Sequence, residues 1–374
     1  MICTLRRTLW LALLSGLAVC RLSGPLPAAP RSVPIIYSSD LFHPHDDPDD
    51  HFDLATLFAL EEFDIRGVVL DLGERQVQKP GDTPLRQMMA LTGRDIPYAI
   101  GLATPLKSPE DDGADQPEQF QGGVKLILDC LQESAEPVTI FTTGSVRDVA
   151  AAYNRAPDLF RQKVNRLYIN VGNGSGRQRE YNARLDRQAY LRIITSDLPV
   201  YWCPCFGEEG YATHWKFPQG PLFDRLPDPL LAYFMYCLAP MPRAFGPVRA
   251  VQSAAWMDGL NADWKAATWA KDRNMWCTAP FIHAAGRHVY RTGEGEWQAI
   301  AADEARERGL ADTAIDSVFE FELTGVAAED DRTLARAEPT AESTVRVLHV
   351  TDQDRYAPAM ASCLANLLER LGEP

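Results

Sequence analysis

Aspartate is concentrated at one place in this chain. Asp40, Asp46, Asp47, Asp49 and Asp50 fall within eleven residues of "SSDLFHPHDDPDDHFDL", and Asp53 follows in what reads as the first turn of a helix. The helix dipole accounts for one or two acids at such a start. Five repel one another, and a bound divalent cation is the natural compensation. Hard carboxylate oxygens suit Ca2+ or Mg2+. The site is not an EF-hand, whose sixth position is Gly and whose twelfth is Glu. Counted from Asp46, those places hold His51 and Leu57. His43 and His45 in the same loop offer a transition-metal site with an Asp as an alternative, or are simply solvated. Two other chemistries lack their signatures. The loop "VGNGSGRQ" has neither G-x-G-x-x-G nor the Lys-Ser/Thr of a P-loop. No serine lies in a G-x-S-x-G elbow.

The elements that must position these acids alternate regularly. "VPIIYSS" reads as a buried strand, and "DHFDLATLFALEEF" as a helix with an apolar face at Phe52, Leu54, Leu57, Phe58 and Leu60. Strand and helix then alternate through "IRGVVLDL", "TPLRQMMALTG", "PYAIGL", "PEQFQGGVKLILDCLQES", "VTIFTTG", "VRDVAAAYNRAP", "VNRLYINVG", "DRQAYLRIITS" and "PVYWCPC". This rhythm predicts an α/β fold, an open and mostly parallel sheet with helices on both faces, in one large domain spanning 32–374. Ligands in such sheets bind beyond the carboxyl ends of the strands. That rule selects four loops: 38–50, 71–80, 142–145 and 172–182. Residues 211–278 lack the rhythm and read as helices and loops over one end of the sheet. The segments "SVFEFELTG", "TVRVLHVT" and "APAMASCLANLLERL" read as two strands and a helix closing the same domain.

Composition narrows the partners. The 374 residues carry a formal charge of −14, which disfavours nucleic acid and anionic membrane surfaces because phosphate contacts need Lys and Arg. A small neutral molecule or a cation is expected. Arg6 and Arg7 precede an apolar run to about Cys20, followed by small residues and prolines, the order of a secretory signal over 1–29. The run is too short to span a membrane. Export to a periplasm or the exterior is expected, with a weak lipid-anchor signal at Cys20. Six of the eight cysteines lie beyond that segment, scattered apart from Cys203 and Cys205; they read as buried free thiols, with pairing possible on export.

With these motifs in order, the chain resembles the inosine–uridine-preferring nucleoside hydrolase family, as a divergent member. "IIYSSD", "DPDDHFDLATLFAL" and "FDIRGVVL" are similar to the family's opening strand, D-x-D-P-G-x-D-D motif, helix and second strand. "VTIFTTGSVRDVAAAY" and "EYNARLDRQAY" are similar to two later family segments, and the likeness runs from about Val33 to Leu371. The resemblance implies a Rossmann-like nucleoside hydrolase fold, a Ca2+ cofactor and cleavage of the N-glycosidic bond of ribonucleosides, with a homo-oligomer possible. It implies Asp40 as metal ligand and base toward water, Asp50 as bidentate ligand, and the Thr143 main-chain carbonyl as a further ligand. It implies Asp49, Glu180 and Asn182 on the ribose, with Asn173 near the place of another sugar-binding amide.

Two departures stand out. The loop between Asp40 and Asp49 is longer than the family's. In "NMWCTAPFIHAAG", Cys277 stands where the late metal-binding Asp belongs, and Trp276 where a His that can serve as leaving-group acid belongs. Asp46, Asp47 or Asp272 then become candidates for the missing oxygen, and His43, His45 or His283 for the acid. The departures open two alternatives on the same fold: a non-catalytic nucleoside or sugar binder, and a hydrolase of a different glycoside.

Overall fold

The computed structural model describes residues 32–176, 180–239, 246–293, 295–329, 332–337 and 343–371. The secretory-type segment and Cys20 lie outside the described residues, as do Arg177 and Gln178 of the glycine-rich loop. The first half of the chain runs β1 (Val33–Ser39), α1 (Asp49–Ala59), β2 (Phe63–Leu70), α2 (Gly73–Gln78), α3 (Asp82–Thr92), β3 (Tyr98–Ile100), α4 (Gly122–Glu133), β4 (Val138–Thr142), α5 (Arg147–Arg155), α6 (Pro157–Lys163) and β5 (Val164–Asn170). It continues through α7 (Tyr181–Leu185), α8 (Arg187–Ile194), β6 (Val200–Cys203), β7 (Trp215–Pro218), α9 (Gln219–Phe223), α10 (Asp228–Leu238), α11 (Pro247–Gln252) and α12 (Ala262–Trp269). The last part comprises β8 (Asp272–Met275), α13 (Thr278–Ala284), β9 (Arg287–Gly293), β10 (Glu296–Ala301), α14 (Ala302–Glu307), β11 (Phe319–Leu323), β12 (Gly325–Glu329), β13 (Arg332–Ala337), β14 (Arg346–Val350) and α15 (Gln353–Leu368).

The main sheet has eight strands in the order β11-β14-β6-β5-β4-β1-β2-β3. Every neighbouring pair is parallel except β11 with β14. The two tail strands therefore join the same sheet, as the sequence implied. Alternation along each strand feeds two cores. Tyr37, Phe141 and Tyr168 face one, with Phe52 of α1 and Phe281 of α13; Ile36, Ile140 and Ile169 face the other, with Val149 of α5 and Ile193 of α8. Strands buried on both faces read as continuous apolar runs, which is why "VPIIYSS" carries no polar alternation.

Residues 211–278 depart from the expected helices and loops in one respect. Trp215–Pro218 and Asp272–Met275 pair as an antiparallel two-stranded sheet, with Trp215 and Phe217 buried in the first core. The six described cysteines are all free, and all but Cys130 are buried. Among the described residues no helix is long and apolar enough to cross a membrane.

Candidate functional site

The sheet order reverses between β1 and β4: β2 and β3 follow on one side, β5 and β6 on the other. This is the topological switch point, where the strand ends diverge and leave a crevice. Register lines the ends up. Ser38 pairs with Thr142, Thr142 with Ile169, and Ile169 with Trp202. Thr143 and Asn170, the next residues of their strands, and Asp40, two residues beyond Ser38, line a cavity of about 430 Å³. Between them Gly144 is obligatory: a Cβ there would lie 2.8 Å from Asp40 Oδ1 and 2.9 Å from Asp71 Oδ2.

Helix α1 brings Asp49 and Asp50 to the same cavity in its first turn. Ser39 Oγ donates to Asp50 Oδ1 at 2.8 Å, and Thr143 Oγ1, itself 2.9 Å from the Tyr37 hydroxyl, lies 3.4 Å from the same oxygen. The Asp50 carboxylate is thus oriented by the ends of β1 and β4. Burial raises the pKa of Asp40 to about 7, with the Asp71 charge adding to it. Burial also holds Asp49 and Asp50 well above the usual carboxylate range, and neighbouring aspartates push each further.

The loop after β5 brings the remaining acid and amide. Glu180 caps α7: its carboxylate accepts from the N–H groups of Gly172 (2.9 Å), Asn182 (2.9 Å) and Ala183 (3.0 Å). Those bonds favour the charged form, yet burial dominates and raises its pKa. Asn182 Nδ2 donates to the main-chain oxygens of Thr143 at 3.2 Å and Asn170 at 3.0 Å. Both residues line the cavity.

Of the seven residues expected from the sequence, Asp40, Asp49, Asp50, Thr143, Glu180 and Asn182 share one cavity wall. Asn173 does not. Its side-chain oxygen is taken by the Ser175 N–H and hydroxyl, and Asn170 stands on the wall instead. Asn170 Nδ2 donates to Cys277 Sγ. The strand-end rule pointed at this loop but began it two residues late. Cys205, Phe206 and Tyr181 also line the cavity without having been singled out. Phe206 and Trp276 meet edge to face at 6.0 Å.

The histidines considered as leaving-group acids are elsewhere. His43 stacks on Tyr236 at 5.1 Å, and His45 packs 6.4 Å from His51. His283 Nδ1 lies 2.7 Å from the Tyr168 hydroxyl, and burial lowers its pKa to about 4. None is on the cavity wall.

The donor set fits a hard cation. Asp46 is paired with Arg75 and Lys79, and Asp47 lies 3.7 Å from Arg273. Among the described residues no ion pair reaches Asp40, Asp49 or Asp50, although Arg75 on the same wall draws the Asp40 pKa down from a distance. Carboxylate and carbonyl oxygens at one point suit Ca2+ or Mg2+. Elsewhere, Glu320, Glu322 and His349 on β11 and β14 bring ligand atoms within 4.8 Å of one another, but Glu322 is already held by the Tyr211 hydroxyl at 2.8 Å.

These features define an α/β protein with an acid-lined site at its switch point. Residues 44–217, a little under half of the chain, match the family model of inosine-uridine preferring nucleoside hydrolases. The pyrimidine-specific ribonucleoside hydrolase RihA of Escherichia fergusonii is 29% identical over 190 residues, which are 45% of this chain and 59% of the relative. The aligned region thus spans about three fifths of the length of the curated relatives it matches. A solved inosine-guanosine nucleoside hydrolase is similar in fold over 90% of this chain and 98% of its own, with a TM-score of 0.54 at 14% identity. The plant nucleoside hydrolase PpNRh1 is similar over 92% of this chain and 100% of its own, with a TM-score of 0.53 at 15% identity.

Proposed function

We propose that this chain hydrolyses the N-glycosidic bond of ribonucleosides in the switch-point cavity, with Ca2+ held by Asp40, Asp50 and the main-chain carbonyl of Thr143. The observation that carries the reading is the set of three carboxyl groups without an ion-pair partner among the described residues, Asp40, Asp49 and Asp50, gathered on one wall with Asn182. The curated relatives named as ribonucleoside hydrolases support the reaction class.

Cleaving an N-ribosyl bond builds oxocarbenium-like charge on the sugar, as O-glycoside hydrolysis does. When bound, the cation supplies Lewis acidity to water and to the ribose diol. The chain supplies the rest. Asp40, just beyond β1 on the cavity wall, is placed to take the proton from water. Asp49 accepts from a ribose hydroxyl. Asn182 has both amide hydrogens engaged on main-chain oxygens, so it offers its side-chain oxygen as acceptor. Glu180 spends three acceptor positions on its helix cap and bounds the far end of the sugar. The base leaves against Phe206 and Trp276, an apolar wall without an acid. The residue-by-residue roles extend the family resemblance, and the signal-like segment supports work outside the cytoplasm.

The test is release of reducing sugar from a panel of purine and pyrimidine nucleosides, with Ca2+ and again with chelator. Chelator-sensitive release that Asp50→Asn abolishes, in a protein that still unfolds cooperatively, is expected. An unchanged Asp50→Asn rate overturns the reading. Cys277 on the wall favours a second reading, a nucleoside binder without turnover. Calorimetric binding with no sugar released over hours would select it.

A further inference from the structure

Helix α1 carries a third acid beyond the two on the cavity wall. Asp49 and Asp53 are four residues apart on α1, so they share one face of it. Asp53 is only 1% exposed, and neither of its carboxylate oxygens has a hydrogen-bond partner. Buried carboxylates are normally paired, hydrogen-bonded or bound to a metal. Burial raises the Asp53 pKa to about 7, and a weak contact from the Cys277 thiol lowers it somewhat; the geometry of that contact falls short of a hydrogen bond. In turn, Asp53 raises the pKa of Asp49, Asp50 and Cys277. It therefore belongs to the same charge cluster as the cavity acids.

Cys277 supplies the other half of the argument. It lines the cavity at the place where the family resemblance calls for an acid, and it accepts a hydrogen bond from Asn170. A thiol suits soft metals and is a poor partner for a hard cation. The wall thus lacks an acid at position 277, and an unpaired one lies buried beside the thiol. The other candidates are already paired or lie apart. Asp46 and Asp47 also line the cavity but have Arg and Lys partners, and Asp272 lines a separate cleft with His45 and Gln219.

We propose that Asp53 takes the place of the acid absent at position 277 and completes the negative charge that holds the cation. This rests on the cation reading proposed above. Its consequence is an exchange rule: a carboxylate can be moved between positions 53 and 277 with the site still served.

The test is calorimetric titration of the metal-stripped full chain with Ca2+ alone. Asp53→Asn is expected to bind about 10–100-fold more weakly than wild type, the range seen when groups supporting a metal site are removed. The midpoint of thermal unfolding without Ca2+ should hold or rise, because an unpaired buried acid is gone. Asp53→Ser serves as a second variant with the same expectation. The double variant Asp53→Asn/Cys277→Asp should recover most of the lost affinity. Wild type that binds Ca2+ alongside an Asp53→Asn variant that binds equally well overturns this inference alone. So does a weakened Asp53→Asn whose affinity Cys277→Asp fails to restore, since that marks Asp53 as a support of helix geometry. Wild type that takes up no Ca2+ overturns the cation reading itself.

Discussion

The side chain of Asn182 holds the main-chain oxygen of Thr143 at 3.2 Å, across 39 residues of sequence. This bond joins the first turn of α7 to the residue after β4, so the amide assigned to the sugar also orients the carbonyl assigned to the cation. A single substitution should then disturb both ligands. Asn182→Ala removes a bond of about 1 kcal/mol to each of two carbonyls. Ca2+ affinity should fall by roughly 2–10-fold and KM for a ribonucleoside should rise by at least as much, with a stability loss of about 2 kcal/mol. Titration of Ca2+ and steady-state kinetics on the same preparation check it. A KM effect with unaltered Ca2+ affinity would show that the Thr143 carbonyl does not depend on Asn182.

Arg147, at the start of α5, ties the segment after β3 to the end of α7. Its Nε donates to Asp186 at 2.9 Å, Nη1 to the Leu102 and Ala103 oxygens at 3.1 and 3.2 Å, and Nη2 to the Leu185 oxygen at 2.9 Å. Asp186 also accepts from the N–H groups of Leu106 and Ala189. Both residues are buried. Breaking a buried pair from one side leaves an uncompensated charge and costs about 3–5 kcal/mol. Arg147→Met should lose stability on that scale in urea denaturation. A loss below about 1 kcal/mol would mean that water reaches Asp186.

The sheet was legible because its signal is local and repeated. "VPIIYSS" and "VTIFTTG" are short apolar runs between helical segments, and period and order suffice for a parallel α/β sheet. The acid cluster and four loops were legible for the same reason. The small β7–β8 sheet was not, because its strands are four residues each and lie far apart in sequence. Asn170 was missed because a polar residue ending a strand looks like any other loop residue; only the register with β4 and β6 puts it on the wall. Asn173 went the other way, since its spacing suited a ligand but a local turn to Ser175 claims its side chain. Asp53 read as an ordinary first-turn acid, and only burial shows that it has no partner.

Phe206 is a large apolar side chain on the cavity wall that stays 43% exposed. Its neighbours are aromatic, with His214 at 5.7 Å and Trp276 at 6.0 Å between ring centroids. An exposed ring at the mouth of a nucleoside site offers a stacking face, and base–aromatic stacking is worth about 1–3 kcal/mol by alanine substitution. Phe206→Ala should raise KM by about ten-fold or more and lower the unfolding midpoint by only a few degrees, because roughly half of the ring is already in solvent. Phe206→Tyr should preserve KM. Equal KM values for wild type and Phe206→Ala would place the base elsewhere in the cavity.

Asp148 gives the clearest pH prediction, since it lies outside the cavity. It is buried behind Gly101 and Gly123, accepts from the Leu102 N–H at 3.0 Å, and leaves its second oxygen unpartnered. Burial first, and then the Asp71 charge, raises its pKa from an ordinary 3.8 to about 7. A folded-state pKa above the unfolded one means that the folded protein binds the extra proton. The stability Asp148 contributes is therefore complete below about pH 4 and is lost as pH rises through about 7. Asp148→Asn keeps the acceptor for Leu102 and removes the titration. Relative to wild type, the variant should gain stability steadily between about pH 4 and pH 8, with a slope difference of up to about one proton. Urea denaturation of both proteins at a series of pH values, with chelator present throughout, measures that difference. Parallel curves would mean that Asp148 is ionised in the fold at neutral pH, with Arg147 rather than a proton balancing its charge.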